Sequence, residues 1–265
     1  MNFKKPLSIE EQIAHLKEQK EIIFTTIDET NAAEILTKEK YINVISPFKY
    51  NFAKKKEDGS VVKLDGKHVY ERKVDFSEYL EKYNEERKQY PILFQKISAF
   101  EGTFNSIVSY SMLTTFQIDS TEKFTKFIET LQKNAFELAE YDLKERIKML
   151  EEVNRFESKM RKYNSPYIFF DRLSLSEIIT VYRLTEKPLR KEIFNKLKSY
   201  NCTLGYPAMS QFDEALSRLV QLRNCVFHGN SLTILIRYYK VKTKELRNST
   251  DSKKFKTLIR HVLNS

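Results

Sequence analysis

The chain is poor in the residues that break and turn a backbone. Its 265 positions hold five glycines and six prolines, too few for a many-stranded sandwich or barrel, which needs a tight turn roughly every ten residues. Long helices are favoured instead. Tryptophan is absent, and the only cysteines are Cys202 and Cys225. Two isolated cysteines build neither a disulfide framework nor a four-cysteine zinc site, so both are read as reduced thiols. The same scarcity of glycine leaves no Walker-type or dinucleotide-type phosphate loop, which removes the ATPase and dehydrogenase readings. There is no nucleophile elbow for a serine hydrolase. No His, Asp and Glu cluster recurs at ligand spacing, so neither a metal nor a cofactor is expected. No apolar run approaches the roughly 20 residues of a membrane span, and the start MNFKKPLSIEEQ lacks the apolar stretch of a secretory signal. A soluble, cytoplasmic protein without a membrane partner is expected.

What is present is charge and apolar periodicity. Lys and Arg number 46 against 36 Asp and Glu, a net charge of +10, which favours an anionic partner. Hydrophobic residues make up 41%, enough for a sizeable core and against global disorder. Ser8 with Glu11 reads as a capping box for a helix carrying Ile9, Ile13 and Leu16 to about Gln19, and Asp28 opens a second with Ala32, Ala33, Ile35 and Leu36. Tyr41 to Phe52 reads as a helical continuation or irregular packing. Val61 to Leu64 and Lys67 to Tyr70, either side of Asp65-Gly66, carry the signature of a small β-hairpin. Asp75 or Ser77 starts the next helix, Pro91 interrupts it, and Phe94, Ile97, Phe104, Ile107, Val108 and Met112 mark a central one.

Further on, Asp119 with Glu122 caps a helix containing Phe124, Phe127, Ile128 and Leu131, and Leu143 to Met160 reads as one long charged helix that ends at Pro166. Ser174 with Glu177 caps the helix of Leu175, Ile178 and Ile179, and another begins near Pro188. Ser210 caps a helix from Gln211 to about His228, which Gly229 stops. There is no internal repeat or low-complexity tract. The fold class read from this is mostly α, a helical bundle with a small β-hairpin insertion.

The chemistry concentrates in Leu222-Arg223-Asn224-Cys225-Val226-Phe227-His228-Gly229-Asn230. Phe212, Leu216, Leu219 and Val220 form an apolar stripe, and Arg223 falls back almost onto it, where an arginine needs a partner. Asn224 and His228 share a helix face, with Arg223 one step round and roughly 7 Å back along the axis. The three can line one edge of a cleft. They also fit a buried arginine bonded to helix-end carbonyls beside a structural histidine. Arg237-Tyr238-Tyr239-Lys240-Val241-Lys242-Thr243-Lys244 interleaves aromatics with cations, a composition suited to stacking bases and neutralising phosphates. It fits equally an amphipathic connector packing its tyrosines on the bundle.

These residues resemble the Abi-like, AbiD/AbiF-type abortive infection proteins, within the HEPN superfamily of helical ribonucleases. Leu222-Arg223-Asn224 with His228 is similar to that family's Leu-Arg-Asn-x-x-x-His signature. Lys5-Pro6-Leu7-Ser8 with Glu11-Gln12-Ile13 and Leu16 is similar to its N-terminal pattern, and Asp28, Ala32 and Leu36 to its next helix. Ile97 to Leu113, with Glu101, resembles a helix bearing an Ile-Glu pair, and Leu173 to Ser176 resembles a serine-rich helix start. The likeness leaves about 54–90 and 117–165 uncovered. It implies an N-terminal helical region with the β-ribbon over 1–90, a HEPN-like helical core over 91–235 with an insertion at about 117–165, and a basic C-terminal helical segment over 236–265.

The resemblance further implies a metal-independent endoribonuclease in anti-phage abortive infection, or a toxin. Arg223, Asn224 and His228 would be catalytic, with Glu101 in support and Arg237, Tyr239, Lys240 and Lys242 binding RNA. A homodimer would bring two motifs to one phosphodiester, and an inhibitory RNA or protein antitoxin is a further partner class. The alternative is a non-catalytic RNA-binding module that holds a structured RNA or regulates a partner. A purely structural interaction protein is the third reading.

Overall fold

Capping chemistry sets the first helices. Ser8 accepts from the Glu11 amide while the Glu11 carboxylate accepts from the Ser8 amide, and this capping box starts α1 (Ile9–Lys20). The computed structural model describes residues 6–64, 67–137, 142–163, 165–242 and 250–264. In it follow β1 (Ile22–Ile23), α2 (Glu29–Glu39), α3 (Tyr41–Val44) and α4 (Lys49–Phe52). Next come β2 (Lys63–Leu64), β3 (Lys67–His68), β4 (Val74–Asp75), α5 (Phe76–Arg87) and α6 (Tyr90–Phe116). The middle holds α7 (Thr121–Glu137), α8 (Leu143–Asn154), α9 (Phe156–Tyr163), α10 (Pro166–Asp171), α11 (Leu175–Leu184) and α12 (Lys187–Ser199). The chain closes with α13 (Met209–Phe227), α14 (Leu232–Lys242) and α15 (Thr250–Asn264). The protein is mostly α. No helix among the described residues is long and apolar enough to cross a membrane.

The chain divides into two compact units, Met1–Pro91 with Cys225–Ser252, and Ile92–Asn224 with Lys253–Ser265. In the first, Ile13, Leu16, Leu36, Val44, Phe76 and Tyr79 form the core. β1 pairs in parallel with β4, Ile22 opposite Val74. Asp75 locks this pairing to the helix that follows. One carboxylate oxygen accepts from the Thr25 and Thr26 amides at 2.9 and 3.3 Å and from the Thr25 hydroxyl, and the other accepts from the Ser77 amide at 2.9 Å to cap α5. β2 and β3 form the expected antiparallel ribbon, Lys63 opposite His68. Its Asp65-Gly66 turn lies outside the described residues.

The second unit is built on aromatic rings. Phe212 on α13 packs against Phe104 on α6, Tyr182 on α11 and Phe194 on α12, with centroids 6.2, 6.3 and 5.6 Å away. A second cluster joins Phe124, Phe156 and Phe170 around or beside Phe169, and so seats the short α10.

Several expected boundaries move. Pro91 does not break α5. The helix ends at Arg87, and Pro91 sits in the first turn of α6, where its missing N–H costs nothing. Phe94 is exposed, and the buried stripe of α6 runs Leu93, Ile97, Phe100, Phe104, Val108, Met112. Ser120, not Asp119, caps α7 by accepting from the Lys123 amide, and Asp119 pairs with the Lys123 ammonium. The long charged helix is two, divided at Arg155, and Leu143 and Ile147 are exposed. Pro166 starts α10 rather than ending a region, and α13 begins at Met209, before Ser210.

Candidate functional site

The end of α13 carries the Arg-Asn-His motif, and the division between the units falls between Asn224 and Cys225. In the second unit Phe212, Leu216, Leu219 and Leu222 are fully buried and fix the rotation of the helix. Arg223 therefore emerges beside the apolar stripe, partly buried, as its eleven-residue spacing from Phe212 requires. Its Nε reaches the Glu101 carboxylate on α6 at 3.5 Å. A partly exposed pair of this kind adds little to stability, and its value is to orient the guanidinium plane. Asn224 is exposed on the next position of the helix.

In the first unit the helix is stopped by a left-handed turn. The Asn230 amide bonds to the Cys225 carbonyl at 2.9 Å and the Gly229 amide to the Val226 carbonyl at 3.2 Å, with Gly229 at φ +62°. This is the Schellman arrangement, and it makes His228 the C-cap. His228 is exposed. Cys225 is buried and donates to the Asn230 carbonyl at 3.1 Å. Burial, followed by the nearby Glu86 carboxylate, pushes its thiol up to about 12, so Cys225 is a structural thiol.

Residues far away in sequence hold this turn in place. Arg87, at the end of α5, donates from Nη2 to the Gly229 carbonyl at 2.9 Å and from Nε to the Tyr83 hydroxyl at 2.8 Å. Its guanidinium lies over the Tyr90 ring at 4.7 Å and pairs with Glu39 at 3.6 Å. Tyr90 donates to the Asn230 carbonyl. The buried Glu86 accepts from the Leu232 amide at 3.0 Å and from the Thr233 amide and hydroxyl at 2.9 and 2.6 Å, so it caps α14. Nothing near the motif in sequence announces Glu86, Arg87 or Tyr90. One signal does exist, since Glu86 falls on the Tyr79, Tyr83, Tyr90 stripe of its own helical register, where a carboxylate requires buried donors.

Of the other residues singled out for RNA, Arg237 lies half-buried on α14 with its guanidinium over the Tyr50 ring at 4.3 Å. The side chains of Tyr239, Lys240 and Lys242 lie outside the described residues, although α14 itself runs through Lys242. Among the described residues no three His, Cys, Asp or Glu side chains are grouped as a metal site requires.

Comparison with curated proteins and with solved structures finds no match. A family model described as Abi-like protein matches residues 34–233. That span takes in α5, the turn at Gly229 and the whole Arg223, Asn224, His228 motif. Three quarters of the chain is thus accounted for by one family, whose description points to abortive infection: this chain belongs to the Abi-like protein family.

Proposed function

We propose that the protein is a metal-independent endoribonuclease of abortive infection, or a toxin, that cleaves RNA by attack of a 2′-hydroxyl on the adjacent phosphorus. The observation that carries this reading is an oriented arginine followed five residues later by an exposed histidine: Arg223 held by Glu101 within the second unit, and His228 on a glycine-terminated C-cap within the first. A guanidinium matches phosphate oxygens bidentately, and imidazole is the side chain that exchanges protons near neutral pH. Arg223 holds the phosphate, Asn224 orients it, and His228 takes the 2′-hydroxyl proton as the 2′ oxygen bonds to phosphorus. The P–O5′ bond breaks, a second imidazole returns a proton to O5′, and the products are a 2′,3′-cyclic phosphate and a 5′-hydroxyl. A two-fold dimer supplies that second imidazole and a second arginine.

Incubation of the purified protein with total RNA in EDTA, with the new ends mapped, tests the reading. Cleavage with cyclic phosphate and 5′-hydroxyl ends is expected, and His228→Ala lowers the rate by about 10²- to 10⁴-fold while RNA binding persists. The exposed position of His228 leaves the fold unaffected by that change. Parental cleavage by His228→Ala removes the catalytic assignment. RNA binding without cleavage by the parent replaces it with a non-catalytic RNA-binding module.

A further inference from the structure

Within the second unit, a groove of about 490 Å³ runs between α6 and α10. Its chemistry is unlike that of a phosphate site. Among the described residues no lysine or arginine lines it, and its two charged groups are the carboxylates of Glu101 and Asp171. Each carboxylate has a guanidinium beside it, Arg223 at 3.5 Å from Glu101 and Arg172 at 4.0 Å from Asp171, and the carboxylate oxygens facing the groove can accept from a ligand edge rich in N–H donors. Two tyrosines that line it, Tyr110 and Tyr167, are 66% and 72% exposed, so both rings present faces that the fold does not use. The wall between them is pre-ordered, because Asn105 donates to the Phe170 carbonyl at 3.2 Å and accepts from the Ser109 hydroxyl at 2.8 Å.

Gly102 is a second, independent observation. It lies inside the 27-residue α6, where glycine is the weakest helix former after proline. It has no left-handed φ to require glycine, and a Cβ added there would meet no atom within 4 Å. Neither backbone conformation nor packing accounts for it. It also lines the groove, where the absence of a side chain keeps space open.

We infer that this groove seats an unpaired nucleobase of the RNA, stacked on Tyr110 and Tyr167, with guanine preferred because its N1–H and N2–H₂ present two parallel donors to the Asp171 carboxylate. The inference rests on the reading of Arg223 as the phosphate ligand. Glu101 links the two, since it lines the groove and pairs with Arg223. The groove thereby selects which phosphodiester is presented.

The test uses fluorescein-labelled single-stranded hexauridylates in which one position is G, A, C or U, bound to the His228→Ala full chain and followed by anisotropy. The guanine-containing oligonucleotide is expected to bind most tightly. Tyr110→Ala and Tyr167→Ala each weaken it by about 10-fold, and Asp171→Asn removes the preference for guanine. Gly102→Leu puts a side chain into the groove from a position where its Cβ has open space, and it abolishes base selectivity while thermal unfolding checks that the fold is kept. Variants that bind all four oligonucleotides as the parent does overturn the inference, as does conversion of a dimer to a monomer by Tyr110→Ala, which would make the groove an interface between copies. Cleavage assays in EDTA separate the two readings. Cleavage with unchanged base preference in the variants removes the groove and leaves the ribonuclease. Selectivity without cleavage removes the ribonuclease and leaves the groove, and failure of both binding and cleavage removes both.

Discussion

Gly229 carries two constraints at once. Its φ of +62° lies in the left-handed region, and a Cβ there would stand 3.1 and 3.2 Å from the two terminal nitrogens of Arg87. Alanine at this position is expected to cost about 1–2 kcal/mol from backbone conformation alone, with displacement of the guanidinium added. Urea denaturation measures it, and in an Arg87→Ala background the contact part of the penalty disappears. Asp75 sets a pH dependence. Burial pushes its carboxyl up, but the hydrogen bonds from Ser77 and Thr25 outweigh that and hold it well below the usual carboxylate range. Because the folded-state value is the lower one, the contribution is complete above the unfolded value of about 3.9 and is lost as pH falls below it. Acid titration of unfolding should show this loss, and Asp75→Asn should flatten that limb of the curve.

At the scale of elements, α14 depends on a carboxylate supplied by α5. Removing it with Glu86→Ala leaves the Leu232 and Thr233 amides without their acceptor, and destabilisation of about 2–3 kcal/mol is expected for the loss of buried charged hydrogen bonds. Hydrogen exchange locates the effect, since those two amides should lose protection before the core of α1 and α2. This dependence also shows where sequence reasoning runs out. Capping boxes are local chemistry over four residues: those at Ser8 and Ser174 start their helices where the pattern indicates, and the one at Asp75 decides a start that the sequence leaves between Asp75 and Ser77. Arg223 was legible for a similar reason, because an arginine on the Phe212 stripe requires a partner. That Glu86 reaches Leu232, or that Ile22 pairs with Val74, leaves no local periodicity to detect. A two-residue strand is too short to alternate. The division at Arg155 escaped because helical spacing continues in phase across a single non-helical residue.

At the scale of the molecule, the sparse site makes a prediction about assembly. One arginine and one histidine per chain serve a single phosphodiester in the proposed reaction, so light scattering should report a dimer, and activity should fall with dilution below the dimer dissociation constant. A monomer that retains full cleavage at nanomolar concentration removes the composite site. RNA affinity should also fall with salt, with a log–log slope of about −0.7 for each neutralised phosphate of a single strand.

The first unit is discontinuous: residues 225–252 belong with residues 1–91. During synthesis Glu86 and Arg87 leave the ribosome more than 130 residues before their partners at 229–233. Until the ribosome has passed that point, Arg87 has Tyr83, Glu39 and the Tyr90 ring beside it and Glu86 has the Tyr90 hydroxyl, but neither has the turn or the helix start that it holds in the finished fold. A message cut or terminated early therefore yields a fragment in which the histidine is absent or unsupported. Under the ribonuclease reading proposed above, the connectivity itself delays competence until synthesis has passed residue 233.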